Sequence, residues 1–398
     1  MSRLDIKLSQ RVQRVKPSPT LAVDAQAKAL RAAGVDIINL GAGEPDFDTP
    51  EHIKAAATQA IADGQTKYPP VDGTTGLKQA VIDKFKRDNG LDYSPEQILV
   101  SAGGKQSFYN LAQALLDEGD EVIIPAPYWV SYPDMVLLAD AKPVIVSAGI
   151  EQGFKLQPEQ LEAAITDKTR LLVLNSPSNP TGVSYRRAEL EALGEVLLRH
   201  PHVLVATDDM YEHILWSDEP FSNIVTACPA LYERTIVLNG VSKAYSMTGW
   251  RIGYAGGPAD LIKAMKKVQS QSTSGACSIA QAAAQAALEG DQQCVADMTT
   301  AFKERHDWLL AALNALPGVT CLPSDGTFYA FPDMREAMKT LGCEDDINFT
   351  ERLLNEAKVA LVPGSAFGAP GHMRLSYATS MEMLESAVSR ISELLRQK

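Results

Sequence analysis

The apolar positions of this chain form two patterns, which change over near residue 295. From about residue 75 to 260, short β-branched runs alternate with helical patterns, as in "QILVSAGG", "EVIIPAPYW", "RLLVLNSPS", "HVLVATDDMYE" and "RTIVLNGVSK". Near-continuous apolar strands between helices predict a mostly parallel sheet with helices on both faces. We therefore expect a large α/β domain in this part of the chain.

The second pattern consists of long amphipathic helices around short strands. The helices are "CVADMTTAFKERHDWLLAALNAL" and "SMEMLESAVSRISELLRQK", and the strands are "GTFYAF" and "VALVPG". This predicts a smaller α+β domain. The N-terminal segment through "IINLGAGEPDFDTP" has its own helical pattern and is expected to pack with the smaller domain. The predicted division is a large domain at 45–294 and a smaller one made of 1–44 with 295–398.

Distinctive polar residues follow four of the predicted strands. "SAGGK" follows 97–100, "NPTG" comes after 171–174, "TDDMY" follows 203–206 and "SK" follows 236–241. Open α/β sheets bind ligands beyond the carboxyl ends of their strands. The four strand ends are therefore expected to converge on one site.

Composition narrows the class of protein. The chain is 45% hydrophobic with a net charge of −12, which is globular and disfavours nucleic acid or anionic membranes as partners. It shows neither a signal peptide nor a run of ~20 apolar residues. Its five cysteines lack CxxC spacing and its histidines form no i, i+4 helical pair, so neither a disulfide framework nor a metal site is predicted. We expect a soluble, cytoplasmic protein.

The stretch "SKAYSMTGWRIGY" contains Lys243 and, eight residues later, Arg251. A desolvated lysine can form a Schiff base with a carbonyl, and an arginine can clamp a phosphate. Taken alone, Lys243 could be an ordinary surface lysine. Together the two residues match the needs of pyridoxal 5′-phosphate (PLP), which requires an amine for its aldehyde and a cation for its phosphate.

The other strand ends carry groups that would complete such a site. Asp208 could pair with a protonated pyridine nitrogen and Tyr211 with the ring oxygen, although a helix cap and a half-buried tyrosine are the ordinary alternatives. Gly103 and Gly104 precede a helix, where free N–H groups suit a phosphate, as they would also suit a plain βα turn. Trp129 could stack on the ring or belong to the core.

Three further residues are weaker candidates. Asn179 lies in an Asn-Pro turn, and Tyr68 lies in "GQTKYPP". Arg374, in "GHMRLSYA", is placed to bind a substrate carboxylate with both guanidinium nitrogens, although a surface ion pair is the usual role of such an arginine.

In this order, the motifs resemble the fold-type I, PLP-dependent class I aminotransferases. "NGVSKAYSMTGWRIG" matches the lysine signature of that family, and "AGEPDFDTP", "KYPPVDGTTGLK", "SAGGKQ", "PYWVSYP", "NSPSNPTG", "TDDMYEH" and "RLSYAT" fall where the family has its other blocks. The resemblance is nearest to the bacterial aspartate aminotransferase subgroup. It implies the PLP-dependent transferase fold type I, PLP as cofactor, and a homodimer whose active sites are shared between subunits.

The resemblance also implies a role for individual residues. Lys243 looks like the Schiff-base lysine, Asp208 like the pyridinium partner, Tyr211 and Asn179 like ligands of the ring oxygen, Trp129 like the stacking tryptophan, Arg251 like the phosphate arginine, Gly43 like a substrate-contacting backbone position and Arg374 like the α-carboxylate clamp. Tyr68 is implied to reach the phosphate of the neighbouring subunit.

The sequence departs from the animal-type members of the family at two positions. Gly240 and Gly103 stand where those enzymes have phosphate-binding serines, so backbone N–H groups and Arg251 are expected to carry more of the phosphate binding. In the bacterial subgroup, the lysine of "GGK" and a threonine near it bind the distal carboxylate, and here these would be Lys105 and Thr20.

The expected reaction is transfer of the amino group of aspartate to 2-oxoglutarate by ping-pong kinetics, giving oxaloacetate and glutamate. Some members of the subgroup also convert prephenate to arogenate. The alternatives are an aromatic or other amino acid aminotransferase and a PLP-dependent lyase on the same fold. A PLP-sensing transcription regulator is disfavoured because the first ~40 residues are too short and insufficiently basic for a DNA-binding domain. A nicotinamide-dependent oxidoreductase is disfavoured because no GxGxxG opens the first βα turn.

Overall fold

The structure is a computed structural model that describes residues 6–17 and 19–396, without the side chains of residues 19–21. Its strands are β1 (Ile38–Asn39), β2 (Ile98–Ser101), β3 (Glu121–Ala126), β4 (Lys142–Ser147), β5 (Thr169–Asn175), β6 (Leu204–Asp208), β7 (Thr235–Gly240), β8 (Gly253–Gly256), β9 (Tyr329–Ala330), β10 (Val359–Ala360), β11 (Val362–Pro363) and β12 (Met373–Ser376). Its α-helices are α1 (Gln10–Arg14), α2 (Pro19–Ala32), α3 (Glu51–Ala62), α4 (Thr75–Lys84), α5 (Gly104–Leu115), α6 (Ser131–Leu138), α7 (Pro158–Ala164), α8 (Arg187–Arg199), α9 (Ile224–Ala227), α10 (Ala259–Ser270), α11 (Ser278–Glu289), α12 (Gln293–Asn314), α13 (Arg335–Thr340), α14 (Asp346–Arg352) and α15 (Met381–Arg396).

The central sheet has seven strands in the order β2-β8-β7-β6-β5-β3-β4. Only β8 runs antiparallel to its neighbours, while the pairs from β7 to β4 are parallel. The predicted mostly parallel sheet is therefore confirmed. The register aligns Asn175 with Asp208 and Asp208 with Leu238, so the carboxyl ends of β5, β6 and β7 lie side by side.

Helices cover both faces of this sheet, as its apolar strands predict. One apolar cluster joins the sheet to α3, α4, α8 and α11, with Leu77 and Leu193 fully buried. The other joins it to α5, α6 and α10, with Phe108 and Ile262 buried. Because both faces are covered by helices, a ligand site has to form at an edge of the sheet or at the ends of its strands.

A second apolar core surrounds the long helices α12 and α15 and the three-stranded sheet β11-β12-β9. Both helices match their predicted patterns, but the strands are shorter than predicted. In "GTFYAF" only Tyr329–Ala330 is a strand, and "VALVPG" divides into β10 and β11. β10 leaves this sheet and pairs in parallel with β1. That pairing attaches the N-terminal strand to the second core, whereas the exact domain limits at residues 44 and 294 stay a prediction.

The N-terminal segment also contacts the first core. Arg14 of α1 forms an ion pair of 2.8 Å with Asp140, which follows α6. α1 thus contacts α6 beside the large sheet, whereas α2 contacts β10 and β11 of the second core. Among the described residues, no helix is both long and apolar enough to cross a membrane.

Candidate active site

A cavity of about 650 Å³ lies between the carboxyl ends of the central strands and the second core. Ten of the residues singled out from the sequence line it: Gly43, Gly104, Lys105, Trp129, Asn179, Asp208, Tyr211, Lys243, Arg251 and Arg374. The four predicted strand ends therefore do meet at one pocket, together with groups from the second core. Gly103 precedes the lining residue Gly104 and lies beside Arg251, while Tyr68 does not line the cavity.

Lys243 lies three residues after the end of β7 and lines the cavity. Its Nζ donates a 2.5 Å hydrogen bond to the carbonyl oxygen of Gly43 and lies 5.8 Å from the ring centre of Phe328. Desolvation by the surrounding protein, with a further contribution from the positive charge of Arg374, lowers the pKa of Lys243 to about 8. A substantial fraction of the amine is therefore neutral, and nucleophilic, near physiological pH.

Asp208, the last residue of β6, has its carboxylate in the same cavity. Burial raises its pKa, and hydrogen bonds from the Tyr132 hydroxyl and the Met210 N–H oppose that effect. The Tyr132 hydroxyl lies 2.5 Å from Oδ2 of Asp208, and the Met210 N–H lies 3.3 Å from Oδ1. These bonds hold a carboxylate in place to pair with a cationic group of a ligand.

Arg374, on β12, is buried but keeps one nitrogen free. Its Nη1 donates to Oδ1 of Asn179 at 3.0 Å and its Nη2 to the carbonyl of Gly41 at 2.8 Å. Its Nε has no hydrogen-bond partner among the described residues. A Cβ at Gly43 would lie 3.1 Å from the hydroxyl of Tyr329 and 3.8 Å from Nη2 of Arg374, so the glycine keeps space open beside the guanidinium. A buried arginine with a free donor and open space beside it is suited to a carboxylate.

The turn between β2 and α5 forms an anion cradle. Gly103 has φ +86°, a conformation that favours glycine, and a Cβ there would collide with Nη2 of Arg251. The positive φ is a physical reason for glycine rather than serine at position 103, since the arginine side chain could move aside but the backbone conformation would still be strained. Backbone N–H groups at the start of the 12-residue helix α5 and the Arg251 guanidinium therefore face the same space.

Lys105 and Trp129 form one wall near the mouth of the cavity. Nζ of Lys105 lies 5.2 Å from the ring centre of Trp129. Partial desolvation and the charge of Arg251 lower the pKa of Lys105. The cavity is lined by several cationic side chains, Lys105, Arg251 and Arg374 among them, although the chain as a whole is acidic.

Two predicted site residues are not assembled in this chain. Tyr68 is 96% exposed and contributes no group to the cavity of its own chain. The side chain of Thr20 lies outside the described residues.

Three further residues near the cavity, Tyr132, Asn175 and Tyr329, were not predicted from the sequence as site residues. Tyr132 holds Asp208, and Tyr329 shares a 3.0 Å hydrogen bond with the hydroxyl of Tyr211. Asn175, at the end of β5, accepts from the Asn179 N–H and donates to the Asp208 carbonyl. Two of the three could have been found from the sequence, because Tyr132 lies three residues after Trp129 and Asn175 lies at the end of a predicted strand. No pattern in the sequence marks Tyr329.

The residues of the cavity fit PLP. They offer a lysine with a lowered pKa, a carboxylate held by two donors, a tryptophan wall, and N–H groups with an arginine at a turn whose positive φ favours glycine. These features define the class of protein as a PLP-binding enzyme of fold type I.

Comparison with known proteins identifies the family. The model of the family "Aminotransferase class I and II" matches residues 35–391, and the chain belongs to this family, whose members depend on PLP. The chain is 61% identical to an aspartate/prephenate aminotransferase of Nitrosomonas europaea, over 98% of this chain and 100% of that protein. It is 52% identical to an aspartate aminotransferase of Geobacillus stearothermophilus, over 99% and 100%.

Solved structures agree on the fold. The aspartate aminotransferase from Rhizobium meliloti has a TM-score of 0.94 at 48% identity, with 98% of this chain and 99% of that chain covered. The aspartate aminotransferase from Thermus thermophilus with maleate has a TM-score of 0.92 at 47% identity, with 98% and 100% covered. The predicted family and fold are thereby confirmed, and the chain is an enzyme of the aminotransferase class.

Proposed function

We propose that this enzyme transfers the amino group of aspartate to 2-oxoglutarate, giving oxaloacetate and glutamate by ping-pong kinetics. The observation that carries the proposal is the joint position of Lys243, Asp208 and Arg374 in one cavity with a second cation, Lys105, at its mouth. Relatives at 50–61% identity are named aspartate or aspartate/prephenate aminotransferases, which supports this substrate class.

PLP would be held from four sides by this chain. Lys243 would bind its aldehyde carbon, Asp208 would keep a proton on its ring nitrogen, and Trp129 would stack on its ring. Tyr211 and Asn179 would bind its ring oxygen, and Gly103, Gly104, Lys105 and Arg251 would bind its phosphate. When bound, PLP supplies a carbonyl group that takes up the amino group and a ring that accepts electrons.

The chain itself supplies proton transfer and orientation. The Lys243 amine would remove the proton from Cα of the substrate as a general base and deliver it, as a general acid, to C4′, the former aldehyde carbon of the cofactor. A pKa of about 8 suits both roles. Arg374 binds the α-carboxylate and fixes the direction of the Cα–H bond. This orientation favours cleavage of the Cα–H bond over loss of the α-carboxylate, and the names of the relatives favour transamination over a β-lyase reaction, which also begins at that bond.

Recognition of an acidic substrate requires a second cation. Lys105 is exposed at the mouth of the cavity, separated from Arg374 by the space that the substrate would occupy. We assign it, together with Thr20, to the distal carboxylate. The Thermus thermophilus relative was solved with maleate, a dicarboxylate, which supports two carboxylate-binding positions in the family.

We further propose a cytoplasmic homodimer with shared sites. Tyr68 is 96% exposed, and Ile61, in the preceding helix α3, is 58% exposed; a second subunit that covers such large side chains would remove their apolar surface from water. In the dimer, Tyr68 reaches the phosphate of the neighbouring site. The five cysteines, all within the described residues, are unpaired, as expected in a reducing compartment.

Prephenate is the second candidate substrate. The Nitrosomonas europaea relative, at 61% identity, is named for both aspartate and prephenate. Prephenate carries a 2-oxo acid and a second carboxylate, so the same two cations can bind it, and the product would be arogenate.

The decisive experiment measures single half-reactions. In the first half-reaction, the purified PLP enzyme is mixed with aspartate, glutamate, alanine or phenylalanine singly, and loss of the cofactor's absorbance is followed. In the second, the resulting amine form is mixed with 2-oxoglutarate or prephenate, and return of that absorbance is followed. We expect the fastest reactions with the acidic amino acids and none with Lys243→Ala. Intersecting rather than parallel initial-rate lines for the wild type would contradict the ping-pong scheme.

Lys105→Ala tests the substrate class within the same panel. We expect loss of kcat/KM for aspartate by roughly 10- to 100-fold, the scale of one or two lost charge-assisted hydrogen bonds, and a smaller loss for alanine. An equal loss for both amino acids would show that Lys105 serves the phosphate alone.

A further inference from the structure

Gln269 is a fully buried polar residue of α10, outside the cavity, whose side chain uses every hydrogen bond it can make. Its Oε1 accepts from Oγ of Ser101 at 2.7 Å and from Nδ2 of Asn110 at 2.9 Å. Its Nε2 donates to the carbonyls of Val71 at 2.6 Å and Val100 at 2.8 Å. A primary amide has two donors and two good acceptor positions, so this side chain is saturated. The two carbonyls also fix which end of the amide is nitrogen.

Two branches of this network hold the phosphate-binding turn from both sides. Val100 and Ser101 are the last residues of β2, and the turn that contains Gly103 follows at once. Asn110 lies in α5, the helix that leaves the turn. The Gly103 N–H also bonds to the Ser101 carbonyl at 2.8 Å, so a shift of Ser101 moves the turn directly.

Another branch reaches the segment that carries Tyr68. The Val71 carbonyl bound by Gln269 lies three residues after Tyr68. The backbone carbonyl of the next residue, Asp72, accepts a hydrogen bond from the Val100 N–H at 3.0 Å. Beyond the end of α10, Gly275 packs so closely on this segment that a Cβ would lie 2.7 Å from the Pro70 carbonyl oxygen.

We propose that Gln269 is a positioning residue for phosphate recognition: it sets the turn at Gly103 for the subunit's own cofactor and the Tyr68 segment for its neighbour's. The inference rests on the proposed function, in which both elements bind PLP phosphates. Gln269 touches no ligand, and it acts because several N–H groups must point at one anion, which requires their backbone to be fixed closely.

The test compares PLP with pyridoxal, which lacks the phosphate. Gln269→Met keeps the length of the side chain but leaves two buried carbonyls, a hydroxyl and an amide without a partner. Apoenzyme is titrated with each compound and binding is followed by absorbance. We expect the affinity for PLP to fall about tenfold, the equivalent of one lost charge-assisted hydrogen bond, with the affinity for pyridoxal unchanged.

Gln281→Met is the matched control. Gln281 is also fully buried, in α11, and it accepts from the Thr74 N–H at 2.8 Å and donates to the Ala276 carbonyl at 2.8 Å, but it has no bond to β2 or α5. Both variants are expected to lower the melting temperature, and only Gln269→Met is expected to change the ratio of the two affinities.

Equal losses for PLP and pyridoxal, or an unchanged PLP affinity, would overturn the proposal, since both indicate a general structural role. If Gln269→Met does not fold, Ser101→Ala removes one of the four bonds and should shift the ratio in the same direction by a smaller factor; an unchanged ratio there overturns the proposal as well. A wild type that binds pyridoxal as tightly as PLP would instead contradict the phosphate site of the proposed function.

Discussion

Two titratable groups in the cavity have pKa values that move in opposite directions. Burial lowers the pKa of Lys243 to about 8 and raises that of Asp208, because desolvation disfavours the charged form of each. Hydrogen bonds from Tyr132 and Met210 oppose this rise in the pKa of Asp208 and so favour its ionised form. Opposite shifts of neighbouring groups are a mark of sites that transfer protons.

The hydroxyl of Tyr132 is the strongest of the groups that keep Asp208 ionised, and Tyr132→Phe removes it. The pKa of Asp208 should rise, because a hydrogen bond to a carboxylate favours its charged form. Asp208 is then protonated at higher pH and no longer holds the proton on the ring nitrogen. We expect the acidic limb of the kcat/KM profile to move to higher pH.

Tyr185→Phe serves as the control for Tyr132→Phe. The Tyr185 hydroxyl is also buried and accepts from the Leu156 N–H at 2.7 Å, away from the cavity. Its removal should leave the acidic limb in place. An unmoved limb in Tyr132→Phe would show that Tyr132 has no influence on Asp208.

At the scale of elements, a buried ion pair joins the end of α4 to the strand ends of the site. Lys84 is fully buried and pairs with Glu212, which follows Tyr211 directly. Asn239 of β7 donates to the same carboxylate at 2.6 Å, and Asn89 donates to it at 2.7 Å. Burial alone would raise the pKa of Glu212, but Lys84 and the hydrogen bonds outweigh burial and hold it below its usual value.

We expect Lys84→Met to lower the free energy of unfolding by about 3–5 kcal/mol, because it leaves a carboxylate buried without its counter-charge. The double variant Lys84→Met with Glu212→Leu should recover a large part of that loss, since it removes both charges. Urea denaturation of the four proteins of this cycle measures the effect. A double variant as unstable as the sum of the single variants would contradict the coupling.

At the scale of the whole molecule, Tyr68 is 96% exposed and does not line the cavity of its own chain. A shared site makes a prediction about mixed subunits. Tyr68→Ala and Lys243→Ala are each expected to be weak or inactive as homodimers. A hybrid of the two has one site with the lysine of one subunit and the tyrosine of the other, so it should regain activity.

The hybrid is formed by unfolding and refolding an equal mixture and is separated by two affinity tags. Each hybrid dimer should have about half the activity of the wild type, since one of its two sites is complete. A mixture whose activity equals the average of the two variants would mean that Tyr68 acts within its own subunit or not at all. Refolded wild type controls for losses in the procedure.

The sequence by itself determined the fold class and most of the chemistry of the cavity. Apolar runs of β-branched residues predicted the parallel sheet, and the polar residues after them predicted which strand ends hold the site. Lys243, Asp208 and Arg374 could be named because their side chains follow these runs or lie in recognisable motifs. These are local properties, which a linear pattern records.

Only the tertiary structure decided which groups act on those residues. Tyr132 meets Asp208 across 76 positions of the chain, Tyr329 meets Tyr211 across 118, and Gln269 meets Val71 across 198. Periodicity marks each of them only as part of a strand or helix, because a hydrogen bond between distant segments leaves no trace in either segment alone. The same holds for the pKa of Lys243, which depends on desolvation and on Arg374, both products of packing.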